Sequence, residues 1–448
     1  MKAKNELYLT SSDYMSWQDH FSELIESEEK LLSNQMNTTY GSSVRTQNVT
    51  FVVTEECSLR CSYCYQVKKN PSRMSKEIAK AAVDMIFDKE KINSYYDLNK
   101  TQGVILDFIG GEPLLEIELM DYIVEYFKFK AFEANHPWAT NYAISVSSNG
   151  VHFLDKKVQD FINRNAGKVS IGITIDGNKE LHDKCRVFPD GRGSYDVVEK
   201  SVKRWVEIDN QPQTKITLCP ENVMYLNDAL KNIWSLGVHG AFTNCVFEEG
   251  WNLGHAKILY SEMKRLGDYL LEDKRYTKYY CSLFDETICD KSDNEDNWCG
   301  GNGRMLAIGP DGRCYPCIRF MDYCLEKSPA TPIGDIFNGL DSKITSPFLK
   351  LLCSVDMKTQ SNDKCLNCPI SQGCSLCTGY NYDHFGTPNK RATYICIMHQ
   401  ARVLACRYFF QKLYKQLNLD KEFKLNIPKE WALEIISEDE YNMLLNLK

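Results

Sequence analysis

Short apolar runs alternate with amphipathic stretches through the first two thirds of the chain. Runs at Val49–Val53, Val104–Ile109, Tyr142–Ser147, Val169–Ile175, Lys215–Leu218 and Val238–Val246 have the length and β-branched content of strands. Between them, Lys76–Asp88, Ile117–Phe132, Lys156–Asn165, Tyr195–Ile208, Leu226–Leu236 and Ala256–Asp273 place apolar residues at helical spacing. Such alternation predicts an α/β fold, a parallel sheet with crossover helices. After residue 275 the alternation stops and turn residues multiply. There Met305–Ile308 and Cys314–Ile318 flank Asp311-Gly312 as the arms of a hairpin do. A helix is predicted from Met398 to about Leu417, and Glu430–Leu447 forms a polar, helix-like tail. The polar residues 1–45, with a helical stretch around Trp17–Leu32, read as a packing extension.

Composition narrows the function. At 448 residues, 43% hydrophobic and 25% charged, the chain is an ordinary folded protein with material for more than one domain. No apolar run is long enough for a bilayer, and Met1-Lys-Ala-Lys-Asn-Glu-Leu7 lacks a secretory h-region, so a cytoplasmic protein is expected. A net charge of −7 with no basic stripe argues against nucleic acid as partner. Nineteen cysteines under reducing conditions point to metal or cluster ligation rather than disulfides.

The cysteines are not scattered. Cys57-Ser-Leu-Arg-Cys61-Ser-Tyr-Cys64 follows the first predicted strand with the spacing C-x3-C-x2-C. Three thiolates from one loop can hold three irons of a cubane cluster and leave the fourth open to a ligand. Zinc is the competing occupant. Gly110-Gly111-Glu112-Pro113 follows the second strand and Ser147-Ser148-Asn149-Gly150 the third. The two glycines of the former let backbone approach a ligand closely.

This spacing, with these motifs in this order, resembles the radical S-adenosylmethionine (SAM) enzymes. The resemblance implies a partial (β/α)6 barrel with its chemistry at the C-terminal ends of the strands. It also implies an open iron that chelates SAM, whose cleavage by one electron gives methionine and a 5′-deoxyadenosyl radical. On that basis Gly110, Gly111, Glu112 and Pro113 line the SAM ammonium, and Tyr63 lies near the adenine. Ser147, Ser148 and Asn149 contact ribose or carboxylate. Asp176-Gly177, His182-Asp183, Arg186 and Gly193-Ser194-Tyr195 reproduce a subgroup pattern in which Arg186 pairs with the SAM carboxylate. His182 and Asp183 are expected to fix a loop rather than to move protons.

Cys299, twelve residues, Gly312, four residues and Cys317 open a second pattern, continued by Cys365-x2-Cys368-x5-Cys374, Cys377 and Cys396. It resembles the SPASM extension of radical SAM proteins, with one departure. Ser375 and Leu376 leave two residues where that family has three. By analogy Cys365, Cys368, Cys374 and Cys396 hold one closed auxiliary cluster, and Cys299, Cys317 and Cys377 supply three ligands to another. Cys314 or an open iron are the candidates for its fourth position, and zinc is the alternative for the whole set. The implied complement is three 4Fe-4S clusters, one SAM-binding and two auxiliary, plus SAM. Cys185, Cys219, Cys245, Cys281, Cys289, Cys324, Cys353 and Cys406 read as small buried residues. The expected division is an extension (1–45), the barrel (46–275), the SPASM domain (276–415) and a helical tail (416–448).

Asp107–Leu115 and Tyr394–Arg402 further resemble maturases of cysteine-rich ribosomal peptides, of sactipeptide or ranthipeptide type. The resemblance implies an oxidoreductase that installs sulfur-to-carbon thioether crosslinks in a cysteine-containing precursor peptide. Its partners would be an electron donor such as flavodoxin or ferredoxin and a separate leader-binding protein. A carbon–carbon crosslinking maturase and an anaerobic sulfatase-maturing enzyme are the alternatives. The latter carry an acid where this chain has Ile318. A non-catalytic cluster scaffold is the remaining class.

Overall fold

The structure, a computed structural model, describes residues 46–92, 96, 101–209, 211–292, 299, 301, 305–341 and 346–447. The extension 1–45 and its helix around Trp17–Leu32 lie outside the described residues.

Strand β1, Thr46–Thr54, is the centre of the fold. Val49, Phe51, Val52 and Val53 are all inaccessible, as expected of a strand covered on both faces. It pairs in parallel with β2 (Gly103–Gly110), which pairs with β3 (Tyr142–Ser148) and then β4 (Val169–Ile173). A second parallel set holds β5 (Gln213–Leu218), β6 (Gly240–Cys245) and β7 (Tyr280–Cys281). No ladder joins β4 to β5. Instead Thr214 Oγ1 donates to Ile173 O at 2.7 Å and accepts from Ile175 N at 3.3 Å, so a side chain bridges the seam. The barrel is therefore partial, as expected, and split there.

The predicted helices form and bury their apolar faces against the sheets. Lys76–Phe87, capped by Ser75, buries Ala79, Ala82, Val83, Met85 and Ile86. Leu253–Leu271, opened by an Asn252–His255 capping box, lies against Cys396–Gln416 with Gly267 next to Phe409. The predicted hairpin forms between β8 (Met305–Ile308) and β9 (Cys314–Tyr315). β9 stops at Tyr315 because Pro316 has no N–H to donate. β8 also pairs in parallel with β1, extending the first sheet to the order β4-β3-β2-β1-β8-β9. The tail is two helices, Lys429–Ile435 and Glu438–Asn446, because Ser437 caps the second by accepting from Glu440 N. Buried Arg407 donates to the carbonyls of Leu444 and Leu447 at its far end. Among the described residues no helix is long and apolar enough to cross a membrane.

Candidate active site and cysteine centres

The loop bearing Cys57, Cys61 and Cys64 leaves the C-terminal end of β1 and is fixed by backbone on two sides. Gly111 N donates to Thr54 O at 2.9 Å and Glu112 N to Glu56 O at 2.8 Å. Arg60 N and Ser62 N donate to Val187 O and Cys185 O at 2.7 and 2.9 Å. A Cβ on Gly110 or Gly111 would strike the carbonyl of Thr54 or Glu56. The absence of a Cβ at both positions thus lets β2 and its following turn pack closely against the cysteine loop.

Glu112 also points inward. It is inaccessible, and its carboxylate accepts from Asn149 N at 2.7 Å, Ser148 Oγ at 2.9 Å and Leu114 N at 3.1 Å. Burial raises its pKa although all three donors oppose the shift. In this geometry Glu112 holds the third motif in place, with Pro113 opening a short turn beside it. Asn149 carries that order onward, donating through Nδ2 to Ser58 Oγ at 3.1 Å and Cys57 Sγ at 3.6 Å.

The three thiols are half-buried and crowd one another. Burial raises the pKa of Cys57, and raises that of Cys61 to about 11 against the opposing charge of Arg186. Lys69 Nζ donates to Cys64 Sγ at 3.0 Å. Beside them, Arg186 donates to the Tyr63 hydroxyl at 2.9 Å, which in turn donates to Asp176. Asp176 and Arg186 are almost wholly buried, and burial raises the Asp176 pKa. Asp176 Oδ1 and Arg186 Nε have no hydrogen-bond partner. His182 accepts from Asp176 N at 3.4 Å and meets Ser194 Oγ at 2.9 Å. Burial lowers its pKa to about 3, so its neutral ring fixes the loop.

The later cysteines fall into two groups. Cys317 and Cys377 are raised in pKa by burial, and each is within the charge field of Cys299. Cys377 caps the helix Thr378–Phe385, its sulfur accepting from Tyr380 N at 3.4 Å. Gly379 presses this helix against Arg319, bringing Cys377 to the turn that follows Cys317. Cys324, read from sequence as an isolated buried residue, sits in the charge field of Cys317, Cys64 and Cys377. Cys314 does not join them. Its thiol lies 3.9 Å from Met85 Sδ in the core, and its charged neighbours are Asp335, Asp311 and Asp341. Cys317 lies past the end of that strand, after Pro316, and has Cys299 and Cys377 as neighbours instead.

Cys365, Cys368, Cys374 and Cys396 line a single cavity of about 140 Å³ together with Arg391, His399, Gln400 and Trp431. Arg391 Nη2 donates to Cys374 Sγ at 3.1 Å and Gln400 Nε2 to Cys396 Sγ at 3.7 Å. Among the described residues no three acidic, histidine or cysteine side chains converge as single-ion ligands. Cubane thiolates each meet a different iron and need no common focus.

Sequence reading missed the barrel lumen. Thr50, Asp107, Ser145 and Ser170 are register neighbours on β1, β2, β3 and β4. All four line a cavity of about 450 Å³, with Ser147, Lys215 and Ile318 also on its wall. Thr50 Oγ1 donates to Asp107 at 3.2 Å, and burial raises the Asp107 pKa. The signal was a polar residue at the inward position of successive strands, hidden because each is unremarked alone.

Residues 40–198 match a family described as a 4Fe-4S single cluster domain. AlbA of Bacillus subtilis, an antilisterial bacteriocin subtilosin biosynthesis protein, is 22% identical over 346 residues, 74% of this chain and 66% of AlbA. A cysteine-type anaerobic sulfatase-maturating enzyme of Clostridium perfringens is 24% identical over 282 residues, 58% of this chain and 71% of that one. The chain spans between 37% and 66% of the length of the first three curated relatives it matches. In structure it is similar to anSMEcpe with bound AdoMet and Cp18Cys peptide, with TM-score 0.61 and 18% identity. That likeness covers 83% of this chain and 99% of the other. The chain has the radical SAM fold.

The residues present fit the groups that a radical SAM protein carries. Thiols that burial keeps protonated give up their protons to iron. The unpartnered atoms of Asp176 and Arg186 beside the loop suit a ligand with both amino and carboxylate groups. Arg391 forms no ion pair with a carboxylate among the described residues, which suits an anionic occupant of the four-thiol cavity.

Proposed function

We propose that this chain is a radical SAM–SPASM peptide maturase that joins a cysteine sulfur of a precursor peptide to a carbon of an acceptor residue. The observation that carries this reading is a gathered four-thiol cavity in the same chain as a strand-end three-cysteine loop. Likeness to AlbA, whose name places it in bacteriocin biosynthesis, supports a peptide substrate. When bound, a cluster on Cys57, Cys61 and Cys64 supplies the electron that cleaves SAM to methionine and a radical able to take hydrogen.

The chain's own residues do the rest. Glu112, Ser148 and Asn149 hold the cysteine loop, and Asp176 and Arg186 offer opposite charges to the amino-acid end of SAM. The lumen presents hydroxyls and the Asp107 carboxylate to the peptide. Two hydrogens leave per crosslink, one as an atom to the radical and one as a proton. Cys299, Cys317 and Cys377, or Cys365, Cys368, Cys374 and Cys396, would hold an oxidised auxiliary centre able to accept the electron left by the proton. An external flavodoxin or ferredoxin would supply the starting electron, and a leader-binding protein would present the peptide.

The test is mass spectrometry of any cysteine-containing peptide encoded beside this chain, after anaerobic incubation with reconstituted protein, SAM and dithionite. Losses of two hydrogens, matched by cysteines that no longer alkylate after reduction, are expected. An unchanged peptide accompanied by 5′-deoxyadenosine would discard the substrate. Crosslinked product with every cysteine alkylatable would indicate carbon–carbon bonds. Oxidation of a sulfatase-derived peptide is the second reading, favoured by Asp107 as a lumen carboxylate. Ile318, on the lumen wall where those enzymes carry an acid, weighs against it.

A further inference from the structure

The four cysteines around the 140 Å³ cavity have unequal surroundings. Cys374 alone receives a hydrogen bond from a cationic side chain. Arg391 Nη2 donates to its sulfur at 3.1 Å, to its carbonyl at 2.9 Å and to Ser375 O at 3.4 Å. Nη1 faces Met357 Sδ at 3.8 Å, and the backbone is tied to Gln360 O at 2.9 Å. The guanidinium is thus held by a fan of carbonyls and sulfurs, with no carboxylate paired to it among the described residues. The other cation at the rim, Lys364, lies over the Trp431 ring, 5.0 Å from its centroid. Gln400, the second sulfur donor, is neutral and longer, at 3.7 Å.

Hydrogen bonds to cluster sulfurs and local positive charge favour the more negative, reduced state and raise the reduction potential. We propose that Arg391 is a positioning residue that sets the redox poise of the centre on Cys365, Cys368, Cys374 and Cys396. It makes that centre readier to take up the electron released in crosslinking than the same four thiolates would be without it. This rests on the maturase reading for its purpose, but not for its measurement.

The experiment is a redox titration followed by electron paramagnetic resonance on the full chain, reconstituted with iron and sulfide, in a Cys57→Ala, Cys61→Ala, Cys64→Ala background. The signal lost on Cys374→Ser identifies the centre. Arg391→Gln should shift its midpoint to more negative potential at unchanged iron and sulfide content, and Arg391→Lys should shift it less. Unmoved midpoints in loaded variants would overturn the proposal. If Arg391→Gln loses iron, Arg391→Lys decides: a negative shift supports the proposal and none overturns it. Zinc with no iron–sulfur signal at these cysteines would instead sink the auxiliary-cluster reading itself.

Discussion

The loop of Cys57, Cys61 and Cys64 and the cavity of Cys365, Cys368, Cys374 and Cys396 gather thiols by opposite means. In the first, eight consecutive residues follow the end of a parallel strand and are tied by backbone bonds to Cys185 and Val187. In the second, thiols spread over 32 residues come from one short helix (Cys365), from turns (Cys368 and Cys374) and from the start of a long helix (Cys396), with no sheet ladder among them. The difference separates a site that the fold presents from a site that its occupant has to help fold.

The largest expected effect is on chemistry alone. Replacing Cys57, Cys61 and Cys64 together with alanine should abolish 5′-deoxyadenosine formation while iron at the later cysteines and the far-UV spectrum persist. Loss of the fold would break the comparison. Next is Gly111→Ala, which drives a methyl into the Glu56 carbonyl and should cost about 3 kcal/mol or more in denaturant unfolding.

The contrast between cysteines is sharper and smaller. Cys374→Ser should remove the iron of its centre and speed hydrogen exchange across residues 357–400, leaving 46–110 protected. Cys314→Ser should keep all iron and cost about 1–3 kcal/mol, the penalty for a buried hydroxyl. The smallest effect is a pH slope. Burial raises the Glu112 pKa from its ordinary value of 4.5, so the folded chain holds that proton more tightly than the unfolded one. The stability so gained is present in acid and lost as pH rises from 4.5 through the raised value. Glu112→Gln should flatten that part of a urea-denaturation pH series, and an unaltered slope would assign it to Asp107 or Asp176, whose pKa values burial also raises.

The alternating elements of the barrel were legible because each is long and periodic enough to declare its type. Pairing of β8 with β1 was not, since four residues read as a hairpin arm and their parallel partner lies some 250 residues earlier. Cys314 and Cys317 look alike by spacing, and only the end of β9 between them tells them apart. Glu112 reads as an acid beside two glycines, and the two donors that Ser148 and Asn149 bring from the next strand end are invisible in a linear pattern. Arg391 carries no motif at all. The N-terminal loop was readable as a unit, whereas membership of the second cavity depends on how short helices fold back.

The placement of β8 also bears on whether the two halves can be separated. β1 is flanked by β2 on one side and β8 on the other. Cutting the chain before residue 305 would leave Asn48–Phe51 as a bare sheet margin, directly beneath the cysteine loop. Unpaired backbone there invites another chain to dock. The barrel is therefore not a module to be borrowed alone: its central strand is finished by a segment from the other half of the protein.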